Sequence, residues 1–369
     1  MSLFSFPPVP GGGRGGVPSP PVYIPPSGDT SGATDVAAIN VALAGGGSVQ
    51  LIEAPLNAPY YVNAPIVMSS QSRLWGAQWW AGSQSDSYGA GSGGSGGTVI
   101  VATPGFTGPG VISMVNTTST QYYGVDLAGF TLECYEVSTP GVHGIVCEGA
   151  WGAGFIRGVT VHRPPGDCFH FEAGASPYVP DEWIFDSCKA SASRNGNGFF
   201  VVQLPDAVFI NCNGSENSLD GWVFSYNTNS KVVACKGENN GQAGFHCAGF
   251  SAGEYMQFAG CNTNFNGQDG WLFDNSGSGG LGTYLLSGCR ASNDGQAGGT
   301  TYAGFRASGC LSRIIGDGCV ALGAAYGAAE GGSSYGMCFT GSYLSGTTAG
   351  THDDGTNTHV LVNQSPVPF

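Results

Sequence analysis

Short runs of alternating apolar residues recur along the second half of the chain, and each run follows a Gly or an Asp. Gly198 is followed by Phe-Phe-Val, Gly221 by Trp-Val-Phe and Gly270 by Trp-Leu-Phe. Alternation over a few residues is typical of a β-strand with one buried face. The eight residues that lead such runs are Gly144, Asp167, Gly198, Gly221, Gly244, Gly270, Gly304 and Gly336, at spacings of 23, 31, 23, 23, 26, 34 and 32 residues.

Repeats of this length predict a solenoid, with longer intervals where a loop is inserted. A leucine-rich repeat has a similar period, but the Leu-x-x-Leu-x-Leu signature is absent and helices do not fit among so many Gly and Asn residues. The sequence therefore predicts an all-β fold, a parallel β-helix in which each rung lies on the one before.

The alternation also predicts which side chains face the core. The first and third residues of each run should point inward, as in the pairs Phe199 with Val201, Trp222 with Phe224, Phe245 with Cys247 and Trp271 with Phe273. The second residues should point outward and form an apolar stripe, which includes Val146, Phe200, Val223 and Leu272. Because a monomer rarely exposes such a stripe, these four residues are candidates for a homotrimer interface. The alternative is that loops cover the stripe.

A second column supports the same register. Six cysteines recur at spacings of 24, 23, 26, 28 and 30 residues, namely Cys188, Cys212, Cys235, Cys261, Cys289 and Cys319. Equivalent Cβ atoms on stacked rungs lie farther apart than a disulfide prefers, so we expect buried, reduced thiols. No Cys-x-x-Cys pair occurs, and His352 with Asp353 and Asp354 is too short a cluster for zinc, so we expect no metal site and no cofactor.

The two ends of the chain differ from the repeats. Residues 1–27 are rich in Pro and Gly and predict an extended attachment arm. Thr34 or Asp35 should cap a short helix that covers the open end of the solenoid, with Val36, Ile39 and Leu43 on its buried face. A strand from Ser48 to Ile52 should follow.

The remaining boundaries follow from composition. The β-helix should occupy residues 28–340, with irregular first rungs between Ser48 and Leu132. The Gly/Ser-rich segment 82–97 should form an exposed loop. Residues 341–369 should form a C-terminal cap or tip, with a possible last strand from His359 to Asn363.

The segment from Gly28 to Gly76 resembles the opening of pectate-lyase-like right-handed β-helix proteins. It contains "GDTSGATDVAAINVALAGGGSVQL" followed by "YYVNAPIVMSSQSRLWG". In that family a Thr-Asp helix precedes Gly-Gly-Gly, a strand, a Tyr-x-Val strand and a Leu-x-Gly close, and phage tailspikes and minor tail proteins often carry the pattern. The resemblance implies a right-handed fold and a trimer, but no particular activity.

The charge balance excludes some partners. Twenty-five acidic residues against 11 basic ones give a net charge of -14, which disfavours binding to nucleic acid and insertion into or attachment to anionic membranes. The first residues lack the features of a secretory signal, so we expect synthesis in the cytoplasm.

Paired carboxylates are the only candidates for catalysis. Asp220 and Asp269 each precede a strand-leading Gly and lie two rungs apart, close to the 6.5–9.5 Å separation of an inverting glycosidase. The alternative is that Asp-Gly is turn chemistry, as Asn197-Gly198 at the same position suggests. A second acidic cluster, Asp181, Glu182 and Asp186, is compatible with a solvated loop. With three lysines and eight scattered arginines, a pectate-type lyase is disfavoured.

These observations predict a structural tail fibre or spike of a bacteriophage virion. It would join other tail proteins through its N-terminal arm and contact a polysaccharide on the host surface. The alternative is a tailspike depolymerase, a glycoside hydrolase on the same scaffold. A third possibility, a cellular β-helix enzyme, predicts a monomer rather than a trimer.

Overall fold

The computed structural model describes residues 20–54, 58–77, 97–118, 120–174, 179–249, 253–274, 282–298, 301–331, 334, 336–353 and 361–363. Nearly every strand belongs to one of three long parallel sheets, and each rung contributes one strand to each sheet. This arrangement is a parallel β-helix, as the repeats predict. The expected loop at 82–97 and most of the expected arm lie outside the described residues.

The first sheet has 13 strands: Val22–Ile24, Ser48–Leu51, Arg73–Trp75, Asp126–Ala128, Phe155–Arg157, Ile184–Asp186, Val208–Ile210, Ser230–Val233, Tyr255–Ala259, Thr283–Ser287, Arg313–Asp317, Met337–Thr340 and Leu361–Asn363. The second sheet has 11: Tyr60–Val62, Val99–Ala102, Thr131–Glu133, Thr160–His162, Lys189–Ser191, Asn213–Ser215, Lys236–Glu238, Asn262–Asn264, Arg290–Ser292, Val320–Leu322 and Tyr343–Leu344.

The third sheet also has 11 strands: Ile66–Val67, Gly110–Asn116, His143–Gly149, Phe169–Glu172, Phe199–Val202, Trp222–Ser225, Phe245–Ala248, Trp271–Asp274, Ala303–Ser308, Tyr326–Gly331 and Ala349–Asp353. A small additional sheet pairs Tyr122–Tyr123 with Trp151–Gly152.

Seven of the eight predicted runs form consecutive strands of the third sheet. Six of them keep the predicted register, whereas the run after Asp167 is displaced by one residue, because Phe169 and not Cys168 pairs with Ile145 and Phe199. The eighth prediction is wrong, because the strand after Gly336 pairs with Arg313–Asp317 in the first sheet. The third-sheet strand of that rung is Tyr326–Gly331, which is rich in Ala and Gly and has no large apolar side chains to mark it. Strands of the third sheet also precede Gly144, where the pattern did not reveal them.

The leading glycines are required by close packing between rungs. A Cβ atom at Gly198 would lie 2.5 Å from the carbonyl oxygen of Gly221, and one at Gly221 would lie 2.7 Å from that of Gly244. Real Cβ atoms do not approach backbone so closely. The repeated Gly therefore records how tightly adjacent rungs pack at this corner, and not a turn with positive φ.

Inward-facing aromatic rings form one continuous stack beneath the third sheet. Centroids of successive rings are 4.6 Å apart for Phe169 and Phe199, 3.8 Å for Phe199 and Trp222, and 4.3 Å for Phe245 and Trp271. All five rings are fully buried, as predicted. Stacked rings at these distances gain about 0.5–1.5 kcal/mol beyond the burial of their area.

All twelve cysteines are free, and eleven of them are buried, as expected. The six-membered column lies at the corner between the first and second sheets. Each thiol there is close to its neighbours: the backbone N–H of Cys188 donates to Sγ of Cys212 at 3.4 Å, and that of Cys212 donates to Sγ of Cys235 at 3.3 Å. The cysteine Sγ atoms thus accept hydrogen bonds from backbone N–H groups at this corner, and the cysteine side chains also fill part of the core.

A ladder of buried amides lies between the second and third sheets. Nδ2 of Asn217 donates to Oδ1 of Asn240, Nδ2 of Asn240 donates to Oδ1 of Asn266, and Nδ2 of Asn266 donates to Oδ1 of Asp294, at 2.8–2.9 Å. The same oxygens also accept the backbone N–H groups of the preceding rung. At this corner the ladder provides acceptors for backbone N–H groups that lie outside the strands.

The helix spans Ala33–Leu43 and packs against the first strands, so it covers the N-terminal end of the core as predicted. The predicted cap is wrong: Gly32 is the N-cap, and it has no side chain to contribute. Asp29 supplies the missing acceptor, because its Oδ2 accepts from both N–H and Oγ1 of Thr34. The buried Asp35 carboxylate instead joins the arm to the first rungs by accepting the N–H groups of Ser27 and Tyr61.

Both expected terminal segments contribute strands. Val22–Ile24, within the expected arm, pairs with Ser48–Leu51. Beyond residue 340, the sheets continue through Tyr343–Leu344, Ala349–Asp353 and Leu361–Asn363. The last described strand is Leu361–Asn363, and the expected start at His359 lies outside the described residues.

Candidate functional site

His170 and His246, two of the six histidines of the chain, lie on the outer face of the third sheet. Outward-facing residues that pair with one another across successive strands form one column: Val146, His170, Phe200, Val223, His246, Leu272 and Arg306. Two residues farther along each strand lies a second column: Glu148, Glu172, Val202, Ser225, Ala248, Asp274 and Ser308. We call these two columns the outer face.

The predicted apolar stripe is wrong in two respects, although its four residues do share one column. Val146 is 0% exposed and Val223 is 9% exposed, so neither offers appreciable area to a second chain. His170, His246 and Arg306 interrupt the column, which makes the face amphipathic. Phe200 and Leu272 are half-buried.

Polar side chains line the corner just before these strands. Oδ1 of Asp167 accepts the N–H of Asn197 at 2.7 Å, and Oδ1 of Asn197 accepts the N–H of Asp220 at 3.1 Å. In the same way, Oδ1 of Asp220 accepts the N–H of Ala243 at 2.7 Å, and Oδ1 of Asp269 accepts that of Ala303 at 2.6 Å. Each side chain thus holds the next rung, which is the turn role considered as the alternative for Asp220 and Asp269.

The second oxygen of Asp220 takes part in a charged network. His246 lies between two carboxylates, with Nδ1 3.1 Å from Oδ2 of Asp220 and Nε2 3.0 Å from Oδ2 of Asp274. Burial lowers the pKa of His246, but the hydrogen bonds to the two carboxylates outweigh burial and raise the pKa to about 10. At neutral pH this residue is an imidazolium ion at the surface of the sheet.

Asp269 is held by a different cation. Nε of Arg306 donates to Oδ1 of Asp269 at 2.8 Å, and the carboxylate is almost wholly buried. Burial raises the pKa of Asp269, and the Arg306 guanidinium partly opposes that rise. Asp220 and Asp269 therefore lie two rungs apart as predicted, but each is buried and already bonded to a backbone amide and a cation. Asp274 is the more accessible carboxylate, with one fifth of its side chain exposed.

A second cluster lies at the other end of the outer face. His170 Nδ1 is 2.7 Å from Oδ2 of Asp167, and its ring stacks on Phe200 with centroids 4.8 Å apart. Burial lowers the pKa of His170, but Asp167 and Glu172 raise it above the usual value. His143 behaves differently, because burial and the nearby His170 lower its pKa to about 4. Nδ1 of His143 accepts the N–H of Asp167, so this ring is neutral.

Two overlapping groups of side chains in this second cluster could hold a metal ion. One is His143, Asp167 and His170, and the other is Glu148, His170 and Glu172. In each group the potential donor atoms all lie within 4.8 Å of one another. Neither group matches a known sequence motif, because the rung register alone brings the residues together.

The second predicted acidic cluster is not brought to this face. Asp181 is bonded to the side chain of Gln121, and burial followed by the charge of Glu182 raises the pKa of Asp181. Asp186 lies on the first sheet, opposite Arg157. These carboxylates do not form a shared site.

Residues 143–311 match the family model described as "Right handed beta helix region". No curated protein has a significantly similar sequence. Among described residues, no helix is long and apolar enough to cross a bilayer.

Solved structures share the fold at low sequence identity. The A-module of the mannuronan C-5 epimerase AlgE4 from Azotobacter vinelandii is 15% identical, with a TM-score of 0.50 over 90% of this chain and 95% of that one. The Agl-KA catalytic domain is 10% identical, with a TM-score of 0.54 over 94% of this chain and 69% of that one. The Dettilon tailspike protein is 11% identical, with a TM-score of 0.52 over 92% and 68%. The right-handed β-helix fold implied by the resemblance of Gly28–Gly76 is confirmed.

The apolar pattern of the runs does not identify the histidines of the outer face. His246 is the second residue after Gly244, but His170 is the third after Asp167, and the other runs carry mostly apolar residues at the equivalent position. A polar residue at an otherwise apolar column position is the sequence signal for both.

Proposed function

We propose that this protein, a right-handed parallel β-helix of the pectate-lyase-like fold, binds a polysaccharide along the outer face of its third sheet. One observation carries the proposal: partly exposed charged groups and half-buried apolar side chains alternate in a single column on a rigid sheet. Arg306 supplies a charge-assisted donor group, and His246 supplies positive charge although its two N–H groups are held by Asp220 and Asp274. Phe200 and Leu272 supply apolar surface in the same column. Apolar surface with a few well-placed polar groups is typical of ligand sites.

The length of the face suits an extended ligand. From the rung of Glu148 to that of Arg306 there are six steps of roughly 4.8 Å, or about 29 Å. On this length, His170 and Phe200 stack on each other, and His246 and Arg306 are bonded to carboxylates of neighbouring rungs. A rigid face loses little conformational entropy when a chain-like ligand binds along it.

The charge of the face favours a neutral glycan. The carboxylates of Glu148, Glu172, Asp167, Asp220, Asp269 and Asp274 outnumber the cations His170, His246 and Arg306, and the whole chain carries a net charge of -14. An acidic surface repels a polyuronate or other polyanionic chain. The proposed ligand is therefore a neutral polysaccharide.

The proposed setting is a bacteriophage tail, in which the protein acts as a fibre or spike that contacts glycan on the host surface. The opening motif from Gly28 to Gly76 and the fold shared with the Dettilon tailspike protein support this proposal. On this view the protein is made in the host cytoplasm, and its N-terminal arm joins it to other tail proteins.

A homotrimer is part of the proposal, but its interface should differ from the predicted one. The outer face must remain open if it binds glycan, and Val146 and Val223 are covered within the chain. The first sheet exposes Ile210, Val233 and Ile315, at 39%, 38% and 41%. We expect light scattering to give a molar mass three times the 37.6 kDa of one chain. A molar mass equal to that of one chain would contradict the trimer.

Binding can be tested on an array of bacterial surface polysaccharides. We expect the wild type to retain neutral glycans, and Phe200→Ala and Arg306→Gln to weaken that retention at least tenfold. Tyr343→Ala and Arg290→Gln, on the second sheet and therefore away from the outer face and the proposed trimer interface, are matched controls that should bind like the wild type. Equal binding by all five proteins, or binding of polyanionic glycans alone, would contradict the proposed site.

A depolymerase is the second candidate, and the specific observation that favours it is the pair of carboxylates around His246. Incubation with a bound polysaccharide and an assay for new reducing ends would detect cleavage. If the protein is a hydrolase, Asp274→Asn should abolish the activity, whereas Asp317→Asn on the first sheet should not. Activity that persists in Asp220→Asn, Asp269→Asn and Asp274→Asn would exclude this site from catalysis.

A further inference from the structure

Glu148, His170 and Glu172 converge on the outer face, one rung from each other or closer. Glu148 and Glu172 are directly paired across neighbouring strands, and His170 lies two residues before Glu172, so its side chain is on the same side of the sheet. All three residues are partly exposed. Like charges placed directly opposite each other destabilise a sheet unless something compensates them.

The orientation of His170 is fixed from behind. Its Nδ1 is 2.7 Å from Oδ2 of Asp167, so the N–H on that nitrogen donates to the carboxylate. The other nitrogen, Nε2, faces Oε1 of Glu172 at 3.5 Å. A carboxylate that holds one ring nitrogen while the other faces further oxygen donors is the usual support of a metal-binding histidine.

We propose that Nε2 of His170 and one carboxylate oxygen each from Glu148 and Glu172 bind a divalent first-row transition-metal ion, with Zn²⁺ as the best fit. Donors about 2.0–2.1 Å from a tetrahedral ion lie about 3.3 Å apart. The separation of Nε2 of His170 from Oε1 of Glu172 is already close to that value, and all three donor atoms lie within 4.8 Å of one another. Three protein donors leave one coordination position of the ion open toward solvent.

The neighbouring group of His143, Asp167 and His170 supports the site rather than forming one. The single lone pair on Nδ1 of His143 is used by the N–H of Asp167 at 3.0 Å. Oδ1 of Asp167 accepts both N–H and Nδ2 of Asn197, and Oδ2 accepts from His170. These atoms are satisfied by the fold, whereas Glu148 and Glu172 are partly exposed at the surface of the sheet.

The absence of a side chain at Gly174 leaves room for the Glu148 carboxylate. A Cβ atom at Gly174 would lie 3.1 Å from Cβ of Glu148 and 3.4 Å from its Oε2. Any larger residue would therefore press on this side chain.

The donor set selects the class of ion. Ca²⁺ takes six to eight oxygen ligands, and Mg²⁺ is held mainly by oxygen and water. An imidazole nitrogen with two carboxylates instead suits Zn²⁺ or a similar transition ion. The expectation of no metal site rested on the absence of short ligand motifs, whereas here the two glutamates lie 24 positions apart in the sequence. The inference does not depend on glycan binding.

Equilibrium dialysis of the full chain against Zn²⁺, with metal measured by mass spectrometry, tests the proposal. We expect one ion per chain in the wild type and at least a tenfold loss of affinity in Glu148→Gln, Glu172→Gln and His170→Gln. Glu238→Gln and His246→Gln are the matched controls and should bind like the wild type. The two Glu→Gln changes keep the side-chain shape, and circular dichroism would establish that each variant folds.

Co²⁺ serves as a spectroscopic probe of the ligands. We expect visible bands of a four-coordinate site with nitrogen and oxygen donors, which disappear in Glu172→Gln. A thiolate charge-transfer band would place the metal on the cysteines and overturn the proposal. Absence of stoichiometric binding, or equal binding by the three variants and the wild type, would overturn it as well.

Discussion

Single buried ionisable residues explain how this protein should respond to pH. Asp294 ends the amide ladder, where it accepts from Nδ2 of Asn266 and from Oγ1 of Thr263. Burial raises the pKa of Asp294 to about 6, although hydrogen bonds from Asn266 and Thr263 oppose the rise. The three preceding rungs carry Asn at this position. A carboxyl group here therefore lowers the stability of the fold at neutral pH, because it is ionised while buried.

We predict that Asp294→Asn stabilises the protein above pH 6 by about 2 kcal/mol. The pKa of Asp294 is higher in the folded chain than in the unfolded chain. Ionisation of this group therefore lowers the free energy of unfolding, and the loss increases as pH rises from about 4 to 6. Below pH 4 the carboxyl is neutral in both states, so the variant should unfold like the wild type. Urea titrations at pH 3.5 and pH 7.5 would measure both values, and an equal effect at the two pH values would contradict the explanation.

His246 should contribute stability, and this contribution also falls as pH rises, but over a higher pH range than the effect of Asp294. Its pKa is raised to about 10 in the folded chain, so the contribution is complete below the unfolded pKa of about 6.5 and is lost as pH rises through 10. We predict that the wild type loses about 2–4 kcal/mol between pH 7 and pH 10 that His246→Gln does not lose. Chemical denaturation of the two proteins at a series of pH values would measure this difference. If the free energy of unfolding falls equally with pH in both, the bonds from His246 to Asp220 and Asp274 do not stabilise the fold.

At the scale of elements, the rungs are joined by side-chain ladders as well as by strand pairing. The ladder of Asn217, Asn240, Asn266 and Asp294 satisfies backbone amides at a corner where the chain leaves one sheet for the next. Sulfur acceptors do the same at the opposite corner. An interior member of a ladder serves two neighbours, so its loss should cost more than one hydrogen bond.

We predict that Asn240→Ala destabilises the chain by about 3 kcal/mol or more. The change leaves the buried N–H of Asn217 without its acceptor, and it removes one hydrogen bond each from Nδ2 of Asn217, Oδ1 of Asn266 and the carbonyl of Gly214. Asn262→Ala, on a partly exposed strand position, should cost less than about 0.5 kcal/mol. Chemical denaturation of both variants would decide, and similar losses would mean that the ladder is not a source of stability.

The whole molecule behaves as one continuous core enclosed by three sheets. Burial raises the pKa of the thiols of Cys147 and Cys168 well above the usual value, so these groups react poorly even if a reagent reaches them. Cys338 is the one cysteine that is not buried. Access to the others requires rungs to separate.

We predict that a thiol reagent modifies at most one of the twelve cysteines in the native protein, namely Cys338. In denaturant all twelve should react. Mass spectrometry after brief alkylation gives the count, with Cys338→Ser as the control that should remain unlabelled. Rapid native labelling of the column from Cys188 to Cys319 would contradict a closed core.

Much of the fold followed from the sequence because a β-helix stacks equivalent residues, and a repeat therefore reports contacts directly. Phe199, Trp222 and Trp271 were assigned to the core, and the cysteines to one corner, on spacing alone. The prediction for the eighth run is wrong because Gly336 leads a strand of the first sheet. The third-sheet strand of that rung, Tyr326–Gly331, is rich in Ala and Gly and shows no alternation of large apolar residues. The helix cap failed because Asp29 acts from outside the helix.

The candidate site depended on tertiary structure. The sequence by itself determined the solenoid, its register across six strands and the acidic charge, because these depend on period and composition. It could not determine that Glu148 meets Glu172, that His246 lies between Asp220 and Asp274, or that Val146 is covered. Those contacts depend on the lengths of the loops between rungs, which set the register between residues more than 20 positions apart, and no local pattern encodes them.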